Sequence, residues 1–234
     1  MPLFVLIHSP LVGPSTWAPV ADRLRAGGLK VTVPSLLAVG EGGPPYWPRV
    51  VAAVAASVAE TGPGESLVLV THSNAGLFVP VLIRDLNRLV SRVVFADATI
   101  PGPGTWEPVV DQDFLSFLRG RVGPDRRLPR WTEWWDERAV AALFPDPATR
   151  RALTAEQPRL PLAYYLDQVP VPSGWSERAC AYLQFSDGYQ EMADQAGALG
   201  WPVVRLPGEH LHQIVDPDGV AGALIELTGA AVLE

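Results

Sequence analysis

One cysteine among 234 residues, Cys180, excludes an internal disulfide and points to an intracellular setting. Cys180 opens an apolar run and reads as a buried structural thiol. No apolar run approaches the ~20 residues that a membrane-crossing helix needs. The first ten residues, "MPLFVLIHSP", lack a basic leader and a long hydrophobic stretch, so they read as a strand and not as a signal peptide. A cytoplasmic protein is expected. There is no basic block and the net charge is −7, which argues against nucleic acid or an anionic membrane surface as partner. With four histidines, no histidine pair on one helix and no cysteine cluster, neither a metal site nor a cofactor is expected.

What is present is an ordinary globular composition, 48% apolar and 18% charged, with 24 Pro and 21 Gly spread through turns without a repeat. The length suits one domain, or one domain carrying an insertion. Short apolar runs alternate with helix-like patterns. Strands are expected at 3–7, 30–34, 66–70, 91–96, 179–186 and 202–206. Between the first two, Ser15 or Thr16 can cap a helix with Trp17, Val20 and Leu24 on one face, ended by Gly27-Gly28. A second helix turns Val50, Val51, Val54 and Val58 inward. This alternation implies about six mostly parallel strands, covered on both faces by helices.

Residues 99–178 break the rhythm. They are partly helical, rich in proline and aromatics, and offer no convincing strand. The expected division is a core of 1–98 and 179–234 with an inserted, mainly helical cap of 99–178, lying where open parallel sheets bind their ligands.

The chemistry gathers at strand ends. "THSNAG" (71–76) directly follows "SLVLV", which would put Ser73 on a sharp turn between strand and helix; Thr71 and Ala75 stand where a strict G-x-S-x-G has glycine, and Gly76 follows. A plain helix-capping serine is the bland alternative. Asp187 follows the fifth expected strand and "GEHLH" (208–212) follows the sixth. Strand ends at one edge of a parallel sheet converge, so Ser73, Asp187 and His210 could meet. The order serine, acid, histidine and the segments "LIHSPLVGPSTW", "THSNAG" and "LPGEHLHQIVDP" together resemble the α/β-hydrolase superfamily. The similarity is to its compact subgroup of hydroxynitrile lyases, methylesterase-type hydrolases and related bacterial enzymes. It covers nearly all of the chain except the insertion.

That resemblance implies Ser73 as nucleophile, His210 as general base and acid, and Asp187 as the group orienting the imidazole. Asp97, ending the fourth strand in "FADATIPG", competes as acid, and His212 competes as base. His8 reads as a loop-bonding residue and His72 as a support beneath the serine turn. The resemblance also implies two donors for an oxyanion. One is the N–H of Asn74; the other comes from the loop after the first strand. There the family's donor position falls on Pro10, which has no N–H. Leu11 N–H, or the hydroxyl of Ser9 or Ser15, would have to substitute.

Ser9, Pro10, Trp106, Trp131 and Trp135 are expected to line a pocket for a small hydrophobic substrate. Trp131, Trp134 and Trp135 also have ordinary helix-packing spacing. A homodimer stays open. The leading expectation is a serine-dependent hydrolase of a small hydrophobic ester, thioester or lactone. A non-hydrolytic enzyme on the same fold (lyase, elimination or cyclisation) is the alternative that Pro10 raises. A binding protein that has kept the fold without catalysis is the third.

Overall fold

The computed structural model describes residues 1–59, 61–62 and 64–230. Its strands are β1 Leu3–Ile7, β2 Lys30–Thr32, β3 Leu67–Ser73, β4 Val90–Ala98, β5 Trp106–Pro108, β6 Gln168–Pro170, β7 Ala179–Gln184 and β8 Val203–Arg205. Six of them form one parallel sheet in the order β2-β1-β3-β4-β7-β8. Every residue of β1 and β3 is buried, as follows when helices cover both faces of a parallel sheet. Successive side chains still alternate: Leu3, Val5 and Ile7 join one apolar cluster, Phe4 and Leu6 the other.

On the Phe4 face, the helix Ala18–Ala26 packs Val20 and Leu24 beside Val220, Leu224 and Leu227 of the C-terminal helix Pro217–Thr228. Neither Ser15 nor Thr16 caps it. A short 3₁₀ turn, Pro14–Thr16, comes first, and the helix opens at Ala18 with Pro19 in its first turn. Gly27 and Gly28 end it as expected, Gly28 at φ +79°. On the opposite face the helix Trp47–Val58 buries Val50, Val54 and Val58, each contributing ~1.5–3 kcal/mol of transfer free energy. Val51 is only half-buried, because a residue next to an inward one points away from it.

The chain between β4 and β7 holds the helices Gln112–Arg119, Glu137–Ala142 and Pro147–Glu156 and the short turn Leu162–Tyr165. It also holds the antiparallel ribbon β5–β6, paired Trp106 to Pro170, where no strand was expected. Each of these strands is three residues long and carries a proline, so no period-2 pattern could announce them. Trp134, Tyr164, Tyr165 and Trp175 from this segment join the same apolar cluster as Val5, Ile7 and Leu69. A smaller cluster ties Val140, Leu143, Phe144 and Leu153 to Leu211 and Ile214, next to His210. No helix among the described residues is long and apolar enough to cross a membrane.

Candidate active site

Ser73 ends β3 at φ 58°, ψ −131°, a backbone conformation that a non-glycine residue adopts only when its surroundings impose it. Asn74–Phe78 then wind into a 3₁₀ turn leading to the helix Val79–Asp85. Ala75 and Gly76 are fully enclosed. A Cβ on Gly76 would overlap the carbonyl oxygen of Thr99. The small residue this turn requires is therefore Gly76, where the segment leaving β4 crosses beneath it.

The acid against His210 is Asp97; Asp187 does not reach the imidazole. His210 Nδ1 lies 2.8 Å from Asp97 Oδ2, and that carboxylate is fully buried. The register explains why. His72 pairs with Ala96 and Ser73 with Ala98, leaving Asp97 as the extra residue of a β-bulge at φ 45°. A bulge re-aims the side chain it carries, here into the site. The end of β7 wraps the same carboxylate: Phe185 N–H (2.9 Å) and Ser186 N–H (3.1 Å) donate to Oδ1, and Ser186 Oγ (2.6 Å) donates to Oδ2. Burial by itself would raise the Asp97 pKa. The bond and charge of His210, with the donors from Ser186 and Phe185, outweigh it and hold the carboxyl below its usual range. Asp187, one residue past Ser186, begins a 3₁₀ turn and is exposed.

His210 sits in a nest of rings. Tyr189 stacks parallel to it at 4.9 Å (interplanar angle 2°), His72 lies at 4.5 Å and Trp131 at 5.9 Å. His72 Nε2–H donates to the His210 carbonyl at 2.8 Å, so His72 supports the histidine loop as well as the serine turn. Complete burial, then the neighbouring His210, lowers the His72 pKa to about 3. It stays neutral beside the His210 ring. His8 is held similarly, its Nδ1 2.7 Å from Ser9 O and its Nε2 accepting from Leu36 N–H, with burial lowering its pKa to about 4. His212, the rival base, turns away: it packs over Gly208 and against Phe185.

After β1, Val12 N–H donates to Ser9 O at 3.1 Å and closes a tight turn. Pro10 takes the second position of that turn, the one proline favours. Pro10 offers no N–H, that of Val12 is used, and Leu11 N–H, which donates to Ser9 Oγ at 3.3 Å, is the other backbone donor of the turn. Ser15 is exposed and bonds Glu156, away from Ser73. Across the site, the Asn74 side chain joins the serine turn to the segment between β4 and β7. It donates to Val109 O at 3.1 Å and accepts from the Tyr164 hydroxyl.

A cavity of about 710 Å³ opens over Ser73 and His210, walled by Leu11, Val109, Phe114, Trp131, Trp135 and Tyr165. Of the pocket residues expected from sequence, Trp131 and Trp135 are there. Trp106 is not: on β5 it is 55% exposed and faces another hollow, with Arg84 and Trp175. Pro10 is buried in its turn, and Ser9 reaches only a small pocket beside Ser73 and His210. Tyr189, whose hydroxyl lies 3.3 Å from Ser73 Oγ, went unseen in the sequence. Its position in "FSDGY", beyond the strand that also ends at this edge, was the only signal available. Among the described residues no cluster of metal-ligating side chains occurs.

The sequence profile of the alpha/beta hydrolase family matches residues 4–223, and the chain belongs to that family. Methyl jasmonate esterase 1 of Vitis vinifera is 33% identical over 109 residues, 43% of this chain and 40% of that one. Esterase PIR7B of Oryza sativa subsp. japonica is 34% identical over 121 residues, 48% of this chain and 44% of that one. The matches thus span less than half the length of these curated relatives. An extracellular α/β-hydrolase from a Paenibacillus species shares the fold over the full length of both chains, with TM-score 0.76 at 16% identity.

Proposed function

We propose that the protein is a serine-dependent hydrolase of a small, neutral, hydrophobic ester, thioester or lactone. The observation that carries this reading is the Asp97–His210 bond beside a serine held at φ 58°, both opening into one apolar-walled cavity. Ser73 Oγ would attack the carbonyl carbon as His210 Nε2 takes its proton. Asp97 keeps Nδ1 protonated and stabilises the imidazolium. Asn74 N–H, at the first position of its turn and without an acceptor in the preceding chain, and Leu11 N–H are the oxyanion donors. His210 then returns the proton to the leaving oxygen, and water repeats the sequence on the acyl-enzyme.

The cavity suits a ligand of small-molecule size. We assign the segment 99–178 the part of a cap, since it supplies the aromatic walls. Glu107 and Asp111 at the cavity favour a neutral substrate over an anionic one. The esterase names of the two curated relatives make a methyl ester of a hydrophobic acid the natural trial substrate.

The test is fluorophosphonate labelling and p-nitrophenyl ester hydrolysis by the wild type and Ser73→Ala. Labelling at Ser73, lost with the substitution, is expected. A folded wild type that neither labels nor turns over ester would overturn the proposal. One observation favours a second reading, a non-hydrolytic reaction in the same site: Pro10 removes a loop donor, and Leu11 N–H is shared with Ser9 Oγ. Loss of one such donor costs ~10²–10³ in acyl-transfer rate. That reading gains if labelling fails.

A further inference from the structure

The Tyr189 hydroxyl is 3.3 Å from the atom assigned as nucleophile. Its ring lies flat on the imidazole assigned as base, 4.9 Å between centroids. Tyr189 also lines the cavity, in company with both residues. Nothing in the serine–histidine–acid chemistry uses it. Its placement decides which reacting oxygen it can serve. The proposed oxyanion donors, Asn74 N–H and Leu11 N–H, belong to the serine turn and the loop after β1. Tyr189 comes from the turn after β7, stacked on the ring that delivers a proton to the departing group, so its hydroxyl lies on the histidine side of Ser73. Besides Oγ itself, a tetrahedral intermediate carries two oxygens on the attacked carbon, and the one on the histidine side is the leaving oxygen.

We propose that Tyr189 is a further catalytic residue, whose hydroxyl donates a hydrogen bond to the leaving alkoxide oxygen while His210 protonates it. The inference rests on the hydrolase reading above. In the collapse step the bond from carbon to leaving oxygen breaks. The electron pair goes to that oxygen, and the proton moves from His210 Nε2 to it. Tyr189 keeps its own proton throughout. Burial, offset in part by the Ser73 bond, pushes the phenol up to about 12, so it remains a donor at neutral pH. In the resting enzyme the same hydroxyl is held by Ser73 Oγ and is already in place when substrate arrives.

The experiment compares wild type with Tyr189→Phe on ester pairs that share one acyl group and differ in leaving group, p-nitrophenyl against methyl. Tyr189→Phe keeps the ring that stacks on His210. A departing p-nitrophenolate needs little help and a departing methoxide needs much. The expected result is a kcat loss at least about tenfold larger for the methyl ester, with KM little changed, at an unaltered thermal midpoint. Equal loss on both esters, or no loss on either, would overturn the role, since a structural or oxyanion contribution ignores the leaving group. If Tyr189→Phe lowers the midpoint, the kcat ratio between the two esters still decides, because misfolding removes both activities in proportion. A wild type inactive on both esters would overturn the hydrolase reading, and this inference with it. An active wild type with a uniform loss would overturn this inference alone.

Discussion

Replacing Asp97 by Asn separates the two aspartates that the sequence left in competition. Asp97 accepts four hydrogen bonds, from Phe185 N–H, Ser186 N–H, Ser186 Oγ and His210 Nδ1. In the variant the amide oxygen can keep the two backbone donors, and Asn tolerates the positive φ of the bulge better than most residues. The amide nitrogen then faces Ser186 Oγ and His210 Nδ1. The serine hydroxyl can rotate to accept. The imidazole can accept only by moving its proton to Nε2, the nitrogen that takes the proton of Ser73 in the proposed reaction. The catalytic consequence is therefore a wrong tautomer, expected to cost about 10⁴ in kcat, or about 5 kcal/mol of barrier. For the fold, all four bonds lose a charged acceptor, ~1 kcal/mol each, offset in part because burying a neutral amide costs less than burying a carboxylate. Asp97→Ala would be worse for stability, because it strands the Phe185 and Ser186 N–H groups at ~1–3 kcal/mol each. Asp187→Asn, on an exposed turn, should leave kcat/KM within about twofold. Steady-state ester hydrolysis with thermal midpoints measured alongside decides the matter. Asp97→Asn within tenfold of wild type, or Asp187→Asn falling as far as Asp97→Asn, would refute the assignment.

Two further outcomes concern the fold around the site. Gly76→Ala forces a Cβ into the Thr99 carbonyl and should cost ~1–3 kcal/mol, a fall of about 2–12 °C in thermal midpoint, together with lost activity; an unchanged midpoint would show that the serine turn has slack. His8 and His72 have folded pKa values of about 4 and about 3 against 6.5 unfolded, so below pH 6.5 the unfolded chain binds more protons and stability rises with pH. Between pH 6 and 5 the two together should give a slope approaching about 2.7 kcal/mol per pH unit in urea unfolding, and a flat profile there would refute their neutral burial. Asp97, its pKa lowered, adds stability that is present above its unfolded value of 3.8 and lost as pH falls below it.

Much of this was legible in the residues. The runs at 3–7 and 66–70 are apolar on both faces, which is the mark of central parallel strands. The sharp strand-to-helix turn at Ser73 and the histidine loop at 208–212 were evident from local pattern. The ribbon β5–β6 was not, because three residues containing a proline carry no periodicity. Nor was the donor loop. Pro10 looks like a defect when the family's pattern is laid over it, and becomes the favoured residue of a turn once the Val12–Ser9 bond is known.

What the sequence determined by itself is what depends on near neighbours and on composition: the alternation of strand and helix, the serine turn, the absence of any long apolar span. The tertiary structure decided which of two strand-end aspartates meets His210, which histidine that carboxylate holds, which tryptophans wall the cavity, and that a tyrosine hydroxyl stands beside Ser73. The physical reason lies in the bulge at Asp97. One extra residue between Ala96 and Ala98 swings a carboxylate into the site, and the end of β7 closes on it while Asp187 is turned to solvent. That one-residue slip comes from how β4 pairs with β3 across the sheet, through packing and hydrogen bonds, and no spacing along the chain encodes it.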